Sequence, residues 1–247
     1  MIAYEGPSRL DGKPIVVILV GRTKNRKTGD MVQSYILRSD VSPVDALKTG
    51  DDVSICGDCP HRGVATGTGI KGRSCYVTVF QGPFAVYRAY KAGKYPKLSK
   101  KKAMAMLDGR MLRLGTYGDP AAVPMKVWNE LISLAKDHTS YTHQWRTCDE
   151  LKPISMASVD SLDEAMEAKA KGWRYFRVRQ ENDIVLPTEV ICPASQEAGK
   201  KSTCEKCRLC QGTNKQAKDV VIIGHGSIAT LANVKRTLIS IGLNKLH

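Results

Sequence analysis

The sequence predicts an α/β fold: a β/α barrel of TIM type, closed or incomplete, with an N-terminal β-hairpin and Cys-rich loops. A doubly wound sheet is the alternative. Three observations carry this. From Met111 onward, short apolar runs alternate with helical patterns, as parallel strands joined by right-handed crossovers require. Before that, Pro14 to Val20 and Ser34 to Arg38 are β-type runs flanking the polar stretch Arg22 to Asp30, which reads as a hairpin with a basic loop. A length of 247 residues suits one barrel-sized domain. We therefore read residues 1–247 as a single domain, with 1–50 a hairpin region and 188–226 a metal-binding segment.

The elements follow in order. Cys56 to Gly72 is rich in Gly and Thr without a period and reads as a loop that wraps something, after which Cys75 to Phe80 reads as a strand. Met111 to Tyr117 is the next strand. Pro124 fits the first turn of a helix reaching Lys136, whose Val127, Leu131 and Leu134 share one face. His138 to Trp145 and Ile154 to Val159 are strands. Ser161 with Glu164 forms a capping box ahead of Leu162, Ala165, Met166 and Ala168, and Gly172 ends that helix. Strands at Arg174 to Arg179, Glu189 to Cys192 and Val220 to Gly224 precede a helix over Ile228 to Ile239.

With 42% hydrophobic and 25% charged residues, the composition excludes disordered and fibrous classes. The longest apolar runs, Pro14 to Val20 and Val220 to Ile223, fall far short of the ~20 residues of a membrane span. The first residues lack a charged segment followed by an apolar one, so a cytoplasmic protein is expected. Eight cysteines in that compartment point to metal binding more than to disulfides. Lys and Arg number 38 against 24 Asp and Glu, a net charge of +14 that favours a polyanion. The cations cluster at Lys24 to Lys27, Lys91 to Lys102 and Arg174 to Arg179, the second cluster interleaved with Tyr87, Tyr90 and Tyr95. Nucleic acid is the expected partner, DNA ahead of tRNA.

Cys204, Cys207 and Cys210 pack three thiols into seven residues, a spacing suited to zinc or an iron–sulfur cluster. The fourth ligand is Cys192 or His225. Lys200, Lys201, Lys206 and Arg208 around the thiols should lower their pKa. Cys56, Cys59 and Cys75, with His61 nearby, form a second, looser set, while Cys148 stands alone. In a parallel α/β fold chemistry sits beyond the carboxyl ends of the strands. That rule selects Asp119, His143 to Arg146, Asp160, Arg177, Arg179, Cys192 and His225.

The stretches RLGTYGDP, SYTHQWR, SMASVDS and CPASQEAGKKSTCEKCRLC resemble a group of small Cys-rich phage proteins over roughly half the chain. That group is distantly similar to the tRNA-guanine transglycosylases and their DNA-modifying relatives. The resemblance implies a glycosyltransferase on a β/α barrel that exchanges guanine in DNA for a 7-deazaguanine base, protecting phage DNA from restriction. It implies zinc on Cys204, Cys207, Cys210 and His225. Two carboxylates are needed, one attacking the sugar and one handling protons, and Asp119 and Asp160 are the two at strand ends. The first Cys pair is CxxC where that family has CxC, and Phe176-Arg177-Val178-Arg179 lacks the acid expected on its strand. A base flipped from the stack would meet Tyr117, Tyr141, His143, Trp145, Trp173 and Arg177. A rival enzyme reading makes Cys56, Cys59 and Cys75 the ligands of a [4Fe–4S] cluster whose open iron binds S-adenosylmethionine, as Cys75-Tyr76 resembles the end of radical-type cluster loops. A third reading is a non-catalytic nucleic-acid-binding protein stapled by metal.

Overall fold

The computed structural model describes residues 1–21, 26–224 and 232–238. Twelve strands lie among them: β1 (Ile2–Pro7), β2 (Pro14–Val20), β3 (Val32–Arg38), β4 (Val64–Ala65), β5 (Ile70–Lys71), β6 (Met111–Tyr117), β7 (Asp137–Thr139), β8 (Tyr141–Thr142), β9 (Met156–Val159), β10 (Tyr175–Arg179), β11 (Glu189–Ile191) and β12 (Asp219–Ile223). The helices are α1 (Pro43–Thr49), α2 (Val53–Cys56), α3 (Gly82–Lys91), α4 (Lys100–Leu107), α5 (Met125–Leu134), α6 (Leu162–Ala170) and α7 (Cys204–Cys207), and residues 232–238 are also helical.

The expected hairpin forms. β2 and β3 pair antiparallel from Ile15 against Arg38 to Val20 against Gln33, and β1, which the sequence pattern does not reveal, adds to the far side of β2. Ile15 to Leu19 are all buried, so β2 is covered on both faces, which is why its sequence is a continuous apolar run rather than an alternating one. β3, β6 and β7 then run parallel. A second sheet, in the order β11-β12-β10-β9-β8, is parallel throughout.

The single residue Ser140 separates β7 from β8. Its N–H turns to the Cys210 carbonyl at 3.0 Å while its carbonyl still accepts from Met156, so one continuous run of chain carries both sheets. The strand expected over His138 to Trp145 is thus two short pieces ending at Thr142. Cys75 to Phe80 is a loop and not the expected strand: the Arg73 guanidinium takes the carbonyls of Cys75 and Val77 at 2.9 Å each, and the Cys75 N–H goes to His61.

The architecture is α/β with mixed and parallel sheets, and no closed barrel forms among the described residues. The core joins both sheets and holds Trp128, Trp145 and Trp173. No helix among the described residues is long and apolar enough to cross a membrane. His225, residues 22–25 of the basic loop and cluster, and residues 228–231 and 239 of the expected C-terminal helix lie outside the described residues.

Candidate metal centres and the strand-end cleft

At the carboxyl ends of β6, β8 and β9 three short segments converge. Asp119 follows β6 across Gly118, which adopts φ +83° and where a Cβ would stand 2.7 Å from that of Ile36, so the turn needs glycine. The Asp119 carboxylate accepts from the Ala121 N–H at 2.9 Å, the Thr142 hydroxyl at 2.7 Å and the His143 N–H at 2.8 Å. Burial nevertheless pushes its pKa up to about 6.

Asp160 directly follows β9, and one of its oxygens bonds His61 Nε2 at 3.0 Å. Its other oxygen faces His143 Nε2 at 3.8 Å. Burial would raise the Asp160 pKa, but the His61 hydrogen bond and the nearby imidazoles bring it below the ordinary carboxylate range. Burial lowers the His143 pKa to about 4, so that ring is neutral at physiological pH. His61, His143 and Asp160 are, among the described residues, the trio whose ligand atoms all lie within 4.8 Å of one another, a donor set able to hold one metal ion.

His61 belongs to the Cys loop. Residues 52–75 fold over the strand ends, held by Arg62, which binds Asp52 through two nitrogens and the carbonyls of Gly50 and Gly57. The Asp119 N–H donates to Ile55 O, and Gln144 Nε2 donates to Cys56 O. Cys59 accepts the His61 N–H on sulfur, and Ser74 and Cys75 both donate backbone N–H groups to the His61 carbonyl. This brings Cys75 to Cys56 and Cys59. Burial pushes the Cys56 and Cys59 thiols well up, and the neighbouring Cys75 adds to the rise of both. Alone, Cys56 and Cys59 hold neutral thiols; a cation beside them is what makes thiolates stable. The Tyr117 hydroxyl, buried beside Cys56 and Cys75, has no hydrogen-bond partner among the described residues.

The second thiol set closes against the parallel sheet. Cys192 follows β11, with its N–H on Val221 O at 2.8 Å. Thr203 caps α7, whose first and last residues are Cys204 and Cys207, and Arg208 at φ 55° turns the chain back so that Cys210 reaches Tyr141. Cys207 accepts the Leu209 N–H on sulfur, the same i+2 arrangement as Cys59 with His61. All four cysteines line one small, apolar pocket. The donor set fits zinc or an iron–sulfur cluster. A zinc tetrahedron with Zn–S bonds of about 2.3 Å has sulfurs about 3.8 Å apart; no three cysteine sulfurs among the described residues lie within 4.8 Å of one another. The expected lowering of these pKa values by neighbouring lysines does not occur: burial dominates and raises Cys204, Cys207 and Cys210.

The other expected site residues separate. Tyr141 is partly buried between Phe176 and the Cys210 side, Trp145 is 1% exposed with the Arg146 guanidinium 4.0 Å above its ring, and Trp173 is in the core. Arg177 is fully buried on the side of β10 shared with Tyr175 and is bound to Glu189 through two 2.7 Å contacts. Arg179 pairs with Glu197. Cys148 is partly buried, away from both thiol sets in sequence, with its neighbour Thr147 as its hydrogen-bond partner. The residue that sequence reasoning did not join to the carboxylates is His61; its position two residues after Cys59 is the signal that was available.

The chain matches no protein-family model, no curated protein and no solved structure.

Proposed function

We propose that the protein is an iron–sulfur enzyme acting on nucleic acid, with the eight parallel-paired strands as an incomplete β/α barrel. Cys56, Cys59 and Cys75 hold a [4Fe–4S] cluster with one iron open to S-adenosylmethionine, and Cys192, Cys204, Cys207 and Cys210 hold a second, fully ligated centre. What the open cluster supplies when bound is a single electron to the sulfonium of S-adenosylmethionine. The observation that carries the reading is the meeting of three thiols over the strand-end cleft, against Asp119, His143 and Asp160, where the fold puts its chemistry. Three protein thiolates on a four-iron cluster leave one position for a small molecule.

Anaerobic purification tests this. A brown protein is expected, with iron and sulfide for two clusters, that cleaves S-adenosylmethionine when reduced; Cys56→Ala should lose one cluster and the cleavage, Cys204→Ala the other cluster. A colourless protein with stoichiometric zinc overturns it.

One observation favours a second reading, base exchange of the guanine-transglycosylase type with zinc on the late cysteines. Asp119 and Asp160 meet through His143, whose backbone binds one carboxylate while its ring faces the other. Nucleoside mass spectrometry of DNA from cells expressing the protein with a 7-deazaguanine supply decides it: a new 7-deazaguanine nucleoside that Asp119→Asn and Asp160→Asn abolish supports exchange, and unchanged nucleosides remove it.

A further inference from the structure

Two buried polar atoms in the strand-end cleft, His143 Nε2 and Asp160 Oδ2, have no hydrogen-bond partner among the described residues. They face each other at 3.8 Å. That is too long for a hydrogen bond, but two N or O donors each about 2.0–2.2 Å from one zinc-sized ion stand about 3–4 Å apart. His61 Nε2 stands 3.0 Å from the other Asp160 oxygen. We propose that His61, His143 and Asp160 bind one divalent first-row metal ion, at a site that does not depend on what the thiols hold.

A packing role explains the arrangement less well. One His–Asp pair would join the Cys loop to β9, and the second imidazole, left dry beside a dry carboxylate oxygen, would only cost stability. Each ligand is also fixed from behind. Ser74 Oγ lies 2.7 Å from His61 Nδ1, the His143 N–H is held by Asp119, and the Asp160 N–H by Glu164. Such outer partners orient ligands and set the imidazole tautomer. The ligands come from the Cys loop and from the ends of β8 and β9, so a bound ion ties the loop to the sheet. Two imidazoles and one carboxylate suit iron(II), zinc or manganese(II), and three protein ligands leave positions for water or substrate.

Manganese(II) is the probe, because it avoids thiolates and its free-ion EPR signal falls as it binds. Titration of the full chain should remove one equivalent per chain. His143→Asn and Asp160→Asn should abolish uptake, while Cys56→Ala and Cys204→Ala retain it. If the protein is isolated with the site filled, elemental analysis should show one equivalent lost in those two variants with iron and sulfide unchanged. Ser74→Ala keeps all three ligands and should weaken uptake about 10- to 100-fold, which guards against a variant that fails to fold. Wild-type protein that neither carries nor takes up this equivalent, or a Ser74→Ala variant that binds like wild type, overturns the proposal. Metal on Asp160 would also occupy the carboxylate that base exchange needs, whereas loss of both thiol clusters would leave this site standing.

Discussion

Arg177 and Glu189 are both essentially sealed from solvent, and their two-contact pairing keeps a full guanidinium charge inside the sheet. Burial would raise the Glu189 pKa, but the Arg177 hydrogen bond, the Leu186 N–H and the Arg177 charge bring it below the ordinary value. The ionised pair therefore stabilises the fold above the unfolded carboxylate pKa of about 4.3, and the contribution is lost as pH falls through the lower folded value. Glu189→Gln strands the arginine and should cost about 3–5 kcal/mol near neutral pH, read from the urea midpoint, with the gap to wild type closing in acid. The same residue shows the limit of reading a site from strand position. Arg177 sits where a phosphate-binding arginine would be expected, and nothing local reveals that Glu189, a strand away, claims it. Asp160 was legible because it ends a strand; its tie to His61 spans 99 positions and was not.

Helix α6 begins as its sequence predicts, with one difference. Ser161 Oγ accepts the Glu164 N–H at 3.1 Å, but the Glu164 carboxylate reaches past the capping residue to the Asp160 N–H at 2.8 Å. The cap thus also fixes the backbone that presents Asp160. Ser161→Ala should cost about 1 kcal/mol, measured by denaturant unfolding. Elements with strong local signals were readable in this way: the hairpin, α5, α6 and the parallel strands from Met111 on. Those shaped by distant partners were not. The Arg73 guanidinium keeps Cys75 to Phe80 out of any sheet, and the Cys210 carbonyl splits the β7–β8 run at Ser140. The triplet of late cysteines was plain from spacing alone, whereas the convergence of Cys192 on it depends on β11 lying beside β12.

Across the whole molecule the net charge of +14 is unevenly spread. Gly82 to Leu107 contains seven cations and no carboxylate. Arg88, Lys91, Lys94, Lys97, Lys100, Lys101 and Lys102 are all exposed, and none forms an ion pair among the described residues. This stretch is no loose tail, since Ile2 pairs with Pro96 and Leu98 through backbone hydrogen bonds and Ser99 caps α4. Cations fixed on a rigid surface release counterions from a phosphate backbone, and the log of affinity then falls with the log of salt at about 0.9 per phosphate contacted on duplex DNA, or about 0.7 on a single strand. Replacing Lys100, Lys101 and Lys102 with Gln should therefore weaken DNA binding at low salt and, if each lysine meets one phosphate of a duplex, reduce that slope by about 2.7, measured by fluorescence anisotropy across a salt series. A slope equal to that of wild type would make this face a solubilising surface and not the proposed nucleic-acid contact. The substitution leaves both thiol sets and the strand-end cleft untouched, so metal content serves as an internal control that the fold survives while the binding changes.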